Sequence, residues 1–315
     1  MSNYDDFVKK NNLIVKKCII KNSAIVVETD KEKLVLKNKF KDKKELFNYL
    51  ESRGFIYFPK IIVDNDNYEV YSFIEDVDTP KEQKAEDIIY LMSLLHNKTT
   101  FYKERELDKI KAFYESKIDS INYLLHYYED LQVVIENNIY MAPSEYLLIR
   151  NISFIYNMLS LTRSMLEEWY KLMSKTGKRR YVLAHHNLLI KHYLKDKQGY
   201  FISWDQADFD IPIYDFYLFY IKNRYDLDIE ILFEMYKAKY PLLREEELEL
   251  YILLSLPNKL ILGYDELLGV KEIYIELERL KKALRIISKS NKKYSQEEKE
   301  EFNNQNKDKD FSSNK

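Results

Sequence analysis

The residues with chemical potential lie mostly in one stretch. His185, His186 and Asn187 stand together, His192 follows five positions after Asn187, and Ser203 and Asp205 flank Trp204. Asp205, Asp208 and Asp210 place three carboxylates within six positions, and Pro212 leads into Asp215. Imidazoles near carboxylates are the material of acid–base catalysis and of metal binding. Zinc would want a cysteine or a second histidine at helical spacing, and neither is there, so loop histidines satisfied by their neighbours are the plainer reading. The three acids read either as ligands for a hard cation or as a solvated acidic loop. Asn187 carries an amide, which does not titrate and cannot act as a general base.

The elements around this stretch alternate between two periods. Leu13–Ile20, Ala24–Thr29 and Lys33–Lys37 read as strands, with Lys21-Asn22-Ser23 and Asp30-Lys31-Glu32 as turns. Asp42 and Glu45 have capping-box spacing; Leu46, Phe47, Tyr49 and Leu50 give a helix face, and Gly54 before Phe55 stops it. Strands follow at Pro59–Val63 and Tyr68–Ile74. From Pro80 the apolar spacing becomes helical, with Ile88, Leu91, Leu94 and Leu95 leading to His96. Leu107–Lys175 is helix former broken at Pro143. A β patch spans 181–204, and the chain is helical again from Pro212 to about Ile287.

Composition narrows the classes. The chain has 315 residues, with 50 Lys+Arg against 52 Asp+Glu and a formal charge of -2, which argues against a nucleic-acid binder. Five Gly and six Pro argue against a many-turned β-sandwich. Cys18 is the single cysteine, so no disulfide forms within the chain. No apolar run approaches the ~18 residues of a membrane span, and the N-terminus has no apolar signal core. A cytoplasmic protein is expected. Residues 288–315 contain no Leu, Ile or Val and read as a disordered tail.

The local motifs carry a resemblance. His185-His186-Asn187, then Ile202-Ser203-Trp204-Asp205-Gln206-Ala207, then Pro212-Ile213-Tyr214-Asp215 resemble the aminoglycoside phosphotransferase and choline kinase superfamily. That family runs His-Gly-Asp, an Asn five steps later, Ile-Asp-Trp-Glu-Asp-Ala, and Pro-Leu-Tyr-Asp. The resemblance covers about residues 13–287 in order of elements and is specific over 183–215. It implies an α+β, bilobal protein-kinase-like fold: an extension over 1–12, a small N-lobe of five strands and one helix over 13–79, and a helical C-lobe over 80–287 whose catalytic-loop-like β patch is 181–204.

The same resemblance puts Asn187 at the catalytic-base position and His192 and Ser203 at the two metal-ligand positions, so all three polar positions of the reaction centre are changed. His185 and Asp215 persist as residues that brace the loop. Lys37 resembles the strand lysine that meets nucleotide phosphates, against the alternative of a solvent-facing strand lysine. Glu45 resembles its helix partner, against a capping role, with Glu51 a further choice. Phe73 and Glu75 fall in a hinge at Tyr71–Glu75. The Lys21–Ser23 turn lacks the glycine that lets backbone approach a phosphate.

The implied function is a catalytically degenerate kinase-like protein, a pseudokinase with a binding or scaffold role. Some relatives in spore-forming bacteria are coat proteins, so coat association is an expectation by analogy. The alternative is an active ATP-dependent phosphotransferase of the aminoglycoside or choline kinase type, with its metal moved to Asp205, Asp208 or Asp210. No cofactor is required under the first reading, though ATP remains a candidate ligand; magnesium enters only under the second. The expected partner is a protein or small molecule, not a nucleic acid.

Overall fold

The fold comes from a computed structural model and describes residues 7–8, 14–21, 24–40, 42–263 and 265–312, the side chains of Lys21 and of residues 291–312 excepted. Asn22 and Ser23 of the first turn, most of the 1–12 extension and the tail side chains beyond Ser290 lie outside that description. The chain divides into two compact units, Met1–Lys103 with Arg180–Pro241, and Glu104–Arg179 with Leu242–Lys315.

In the first unit, β1 (Val15–Lys21), β2 (Ala24–Thr29), β3 (Lys33–Asn38), β4 (Ile61–Asp64) and β5 (Tyr68–Ser72) form one antiparallel sheet in the order β1-β2-β3-β5-β4. Strand side chains alternate between faces. Leu34, Leu36, Tyr68 and Val70 are buried on one face, and Phe7 packs its ring against Tyr68 there at 5.9 Å between centroids. Val35, Lys37, Glu69 and Tyr71 take the opposite face, with Lys37 directly across from Glu69 and Val35 across from Tyr71.

Between β3 and β4 runs α1 (Lys44–Ser52), which buries Phe47 and Leu50. Its start corrects the expected capping box. Lys43, not Asp42, is the N-cap residue, and Asp42 Oδ1 accepts the Lys44 N–H at 2.9 Å. Its end is as expected: Gly54 takes φ 71°, Gly54 N–H bonds to Glu51 O and Phe55 N–H to Leu50 O, both at 2.9 Å, and Phe55 is buried. This is a Schellman closure, and its left-handed residue favours glycine.

α2 (Lys81–Thr99) begins after Pro80, and β6 (Phe101–Glu104) follows it. α3 (Leu107–Glu136) and α4 (Pro143–Lys175) are the long helices, with Pro143 at the start of the second, where a missing N–H costs nothing. β7 (Lys178–Ala184) and the hairpin of β8 (Tyr193–Lys195) and β9 (Gly199–Phe201) make up the β patch, and β10 (Asp208–Asp210) follows it. β10 pairs with β7, setting Asp208 opposite Ala184; β6 and β10 had no counterpart in the sequence reading.

Four helices close the chain: α5 (Ile213–Asn223), α6 (Ile229–Lys239), α7 (Arg244–Ser255) and α8 (Glu266–Ser312). The second unit is helical, with α4 packed on α3, α7 and α8. Two buried polar side chains inside it are paired: Trp169 Nε1 donates to Glu249, and Arg279 donates to Glu276 and to the Leu254 and Leu256 carbonyls. The α+β class, with a small antiparallel N-lobe sheet and a larger helical C-lobe, is the one expected.

Candidate functional site

A cleft of about 640 Å³ opens within the first unit, under the Val35–Lys37 face of the sheet. Val26, Val35 and Tyr71 wall one side, Ile202 and Leu194 the other, and Phe73–Asp76 run along the edge. Charged and polar groups enter it from three directions: Lys37 from β3, Lys43 from the start of α1, and Lys191, His192, Ser203 and Asp205 from the loops around the β8–β9 hairpin.

The loop floor is fixed by one carboxylate. Asp215 is fully buried in the first turn of α5. Its Oδ2 accepts the His185 N–H at 2.8 Å and its Oδ1 the His186 N–H at 2.6 Å. His96 Nε2 lies 3.1 Å from the same carboxylate, and His96 Nδ1 lies 2.7 Å from Tyr236 Oη. Burial alone would raise the Asp215 pKa; the His96 bond and its neighbours outweigh burial and hold it below the usual carboxylate range.

His185 is buried as well. Its Nε2 donates to Ile202 O at 3.1 Å, its Nδ1 accepts the Asn187 N–H at 3.3 Å, and its ring lies 4.5 Å from that of Trp204. Burial pulls its pKa down to about 4, so the ring is neutral at pH 7. Trp204 completes the floor, set among Phe47, Phe55 and Phe58 and donating Nε1–H to Phe201 O at 2.8 Å.

Asn187, His192 and Ser203, the positions the resemblance marks as changed, lie close by. Asn187 O faces His192 Nδ1 at 2.7 Å, and Asn187 Nδ2 is 3.5 Å from Ser203 O, at the limit of a hydrogen bond. His192 and Ser203 line the cleft; Asn187 does not. Burial lowers the His192 pKa. His186 and Ser203 both take left-handed backbone, with φ 58° and 67°. His186 Nε2 lies 3.3 Å from Asp210 Oδ2, and that carboxylate raises its pKa.

The cleft's charge pairing differs from the expected one. Glu45 is exposed and does not line the cleft, so it is not the partner of Lys37. The buried ion pair instead runs from Lys43 Nζ to Glu69 Oε2 at 2.8 Å and to Asp205 Oδ1 at 2.9 Å, with Tyr71 Oη donating to Glu69 Oε2 at 2.5 Å. Burial lowers the Lys43 pKa, but its bonds to both carboxylates outweigh burial, so the ammonium stays charged. Lys37 enters the same cleft with its pKa lowered, first by burial. Neither Lys43 nor Glu69 was marked by the sequence reading. Strand parity was the usable signal, because it places Glu69 on the face of Lys37.

Magnesium chemistry would need hard oxygen ligands here. His192 offers an imidazole and Ser203 a neutral hydroxyl. Asp205 is held by Lys43, Asp208 is exposed and accepts the Phe209 N–H, and Asp210 accepts the Ile211 N–H beside His186. Among the described residues no three His, Cys, Asp or Glu side chains cluster as a metal site. The residues present do not fit the ion.

Neither a protein-family model nor a curated protein matches the chain. Solved structures do. An aminoglycoside phosphotransferase from Alicyclobacillus acidocaldarius aligns at TM-score 0.59 and 10% identity, over 87% of this chain and 92% of that one. A choline kinase from Streptococcus pneumoniae aligns at TM-score 0.47 and 14% identity, over 91% and 100%. An AMP-bound spectinomycin phosphotransferase aligns at TM-score 0.46 and 10% identity, over 90% and 94%. The chain therefore has the kinase-like fold seen in aminoglycoside phosphotransferases. At such identity the likeness speaks to the fold, and the chemistry must be argued from this chain's own residues.

Proposed function

We propose that the protein uses the kinase-like fold without phosphoryl transfer, as a binder or scaffold whose cleft takes a phosphate-bearing ligand, ATP the first candidate, without a divalent metal. The observation that supports this reading is the chemistry of Asn187, His192 and Ser203: an amide, an imidazole and a hydroxyl occupy the positions that the motif resemblance assigns to a base and two metal ligands, and His192 and Ser203 line the cleft. Asp205, Asp208 and Asp210, which could have carried a displaced metal, are engaged with Lys43, the loop backbone and His186. The lysines remain. Lys37, Lys43 and Lys191 line one cleft and suit an anionic group, and the apolar walls suit a flat ring.

Two assays test this. Purified protein with ATP and Mg²⁺, offered aminoglycosides or amino-alcohols, should show no turnover above the uncatalysed rate. Calorimetric titration of ATP should give the same affinity in Mg²⁺ and in chelator, and Lys37→Ala should weaken it. Mg²⁺-dependent turnover would overturn the reading in favour of an active phosphotransferase with a rewired metal site.

A further inference from the structure

We propose that Lys43 is a built-in counter-cation that takes over, in this cleft, the charge-neutralising work a divalent ion would do, so that removing its ammonium turns a metal-independent site into a metal-dependent one. The inference rests on the proposed binding of a phosphate-bearing ligand and names the group that makes it independent of metal.

The geometry behind it is specific. Lys43 Nζ bridges carboxylates from two elements, Glu69 on β5 and Asp205 in the turn after Ser203, at 2.8 and 2.9 Å. Its side chain is 4% exposed and that of Glu69 0%, whereas Asp205 is 37% exposed and faces the cleft. One cation joining two carboxylates at the edge of a ligand cavity is an arrangement that a hard metal ion also makes. A second, independent observation is that the other oxygen of the buried Glu69 carboxylate, Oε1, has no hydrogen-bond partner. Bare carboxylate oxygen is thus already present, beside a cation too small in charge to satisfy both acids fully. With Lys43 in place, its ammonium offsets the two carboxylates and leaves no vacancy for Mg²⁺, so that Lys37 and Lys191 are left to meet a polyphosphate. Without it, Glu69 and Asp205 become two adjacent carboxylates with nothing between them, and hard cations are drawn to that pair.

The test is a titration of ATP into wild type and Lys43→Met, each in chelator and in Mg²⁺, together with Mn²⁺ uptake read by electron paramagnetic resonance without nucleotide. Wild type should bind ATP equally in both buffers and take up no Mn²⁺. Lys43→Met should lose at least tenfold affinity in chelator, recover most of it in Mg²⁺, and take up one Mn²⁺. Lys43→Arg should behave as wild type. Should Lys43→Met not fold, Lys43→Met with Glu69→Gln removes the stranded acid, and with one carboxylate left it should take up no Mn²⁺ and bind ATP alike in chelator and in Mg²⁺; Mn²⁺ uptake by that variant overturns the inference. Binding in chelator that survives in Lys43→Met overturns the inference and leaves the proposed function standing. Wild type that binds no ATP in either buffer overturns the proposed function, and the inference falls with it. Wild-type binding tightened tenfold by Mg²⁺ overturns both.

Discussion

Asp215 is the residue on which the loop depends most. It satisfies two backbone N–H groups, one buried and one part-buried, and faces a buried histidine, so its loss strands several polar groups at once. Asp215→Ala should cost about 1–3 kcal/mol, read as a fall in Tm, because an unmet buried donor costs its desolvation in full. A wild-type Tm would mean that the carboxylate is solvated. His185 gives a pH signature. Its folded pKa, about 4, lies below the ordinary value of 6.5, so as pH falls the unfolded chain takes the proton first. The stability it confers is complete above about pH 6.5 and drains away toward pH 4, on the order of 2 kcal/mol between pH 6.5 and 5. His186 runs the other way: Asp210 raises its pKa, so its contribution is present at low pH and lost as pH rises through the folded value. The His185 contribution is therefore read as the difference between wild type and His185→Gln across that range; parallel curves would refute it.

At the scale of the element, α1 shows what a sequence can and cannot reveal. Its stop was legible, because a glycine followed by an apolar residue has few other uses. Gly54→Ala should destabilise by about 1 kcal/mol through the left-handed backbone alone, since an added Cβ would meet only Lys98 Nζ, at 3.8 Å. An unchanged denaturation midpoint would count against that cost. The start of α1 was less legible. The family resemblance points to Glu45 and its spacing from Asp42 to a capping box, whereas a one-residue shift makes Lys43 the N-cap and turns its side chain inward. That shift decides the cleft's charge, and it depends on where α1 meets Glu69 and Asp205, which no local pattern encodes. The strands, by contrast, were readable because alternation is local. Lys37 is marked by its resemblance to the family's strand lysine, whereas Glu69 requires knowing that β3 and β5 are neighbours in the sheet.

For the molecule as a whole, the kinase-like plan followed from the order of elements, and the division into two units did not, because each unit joins segments far apart in sequence. The end of the packed core also lies later than the apolar pattern implied. Ile286 and Ile287 are buried, but so is Ser290, which pairs with Tyr251 Oη at 2.6 Å. Truncation after Ser290 should leave Tm unchanged. Truncation after Ile287 should lower stability by about 1 kcal/mol through loss of that bond. Equal melting of the two fragments would return the boundary to Ile287. Among the described residues no helix is long and apolar enough to cross a membrane.

Phe7 lies beneath the same two strands that carry Lys37 and Glu69 on their other side, for Leu34, Leu36, Tyr68 and Val70 pack with it while Lys37 lines the cavity and Glu69 shares its face of the sheet. The sheet is one layer thick, so whatever holds Phe7 in place also damps the breathing of the cavity roof. Removing residues 1–8 should accelerate amide hydrogen exchange along β3 and β5 before it changes any contact inside the cleft. Handling of the N-terminus, by a fusion tag or a bound partner, thus becomes a way of tuning the cavity from its far side.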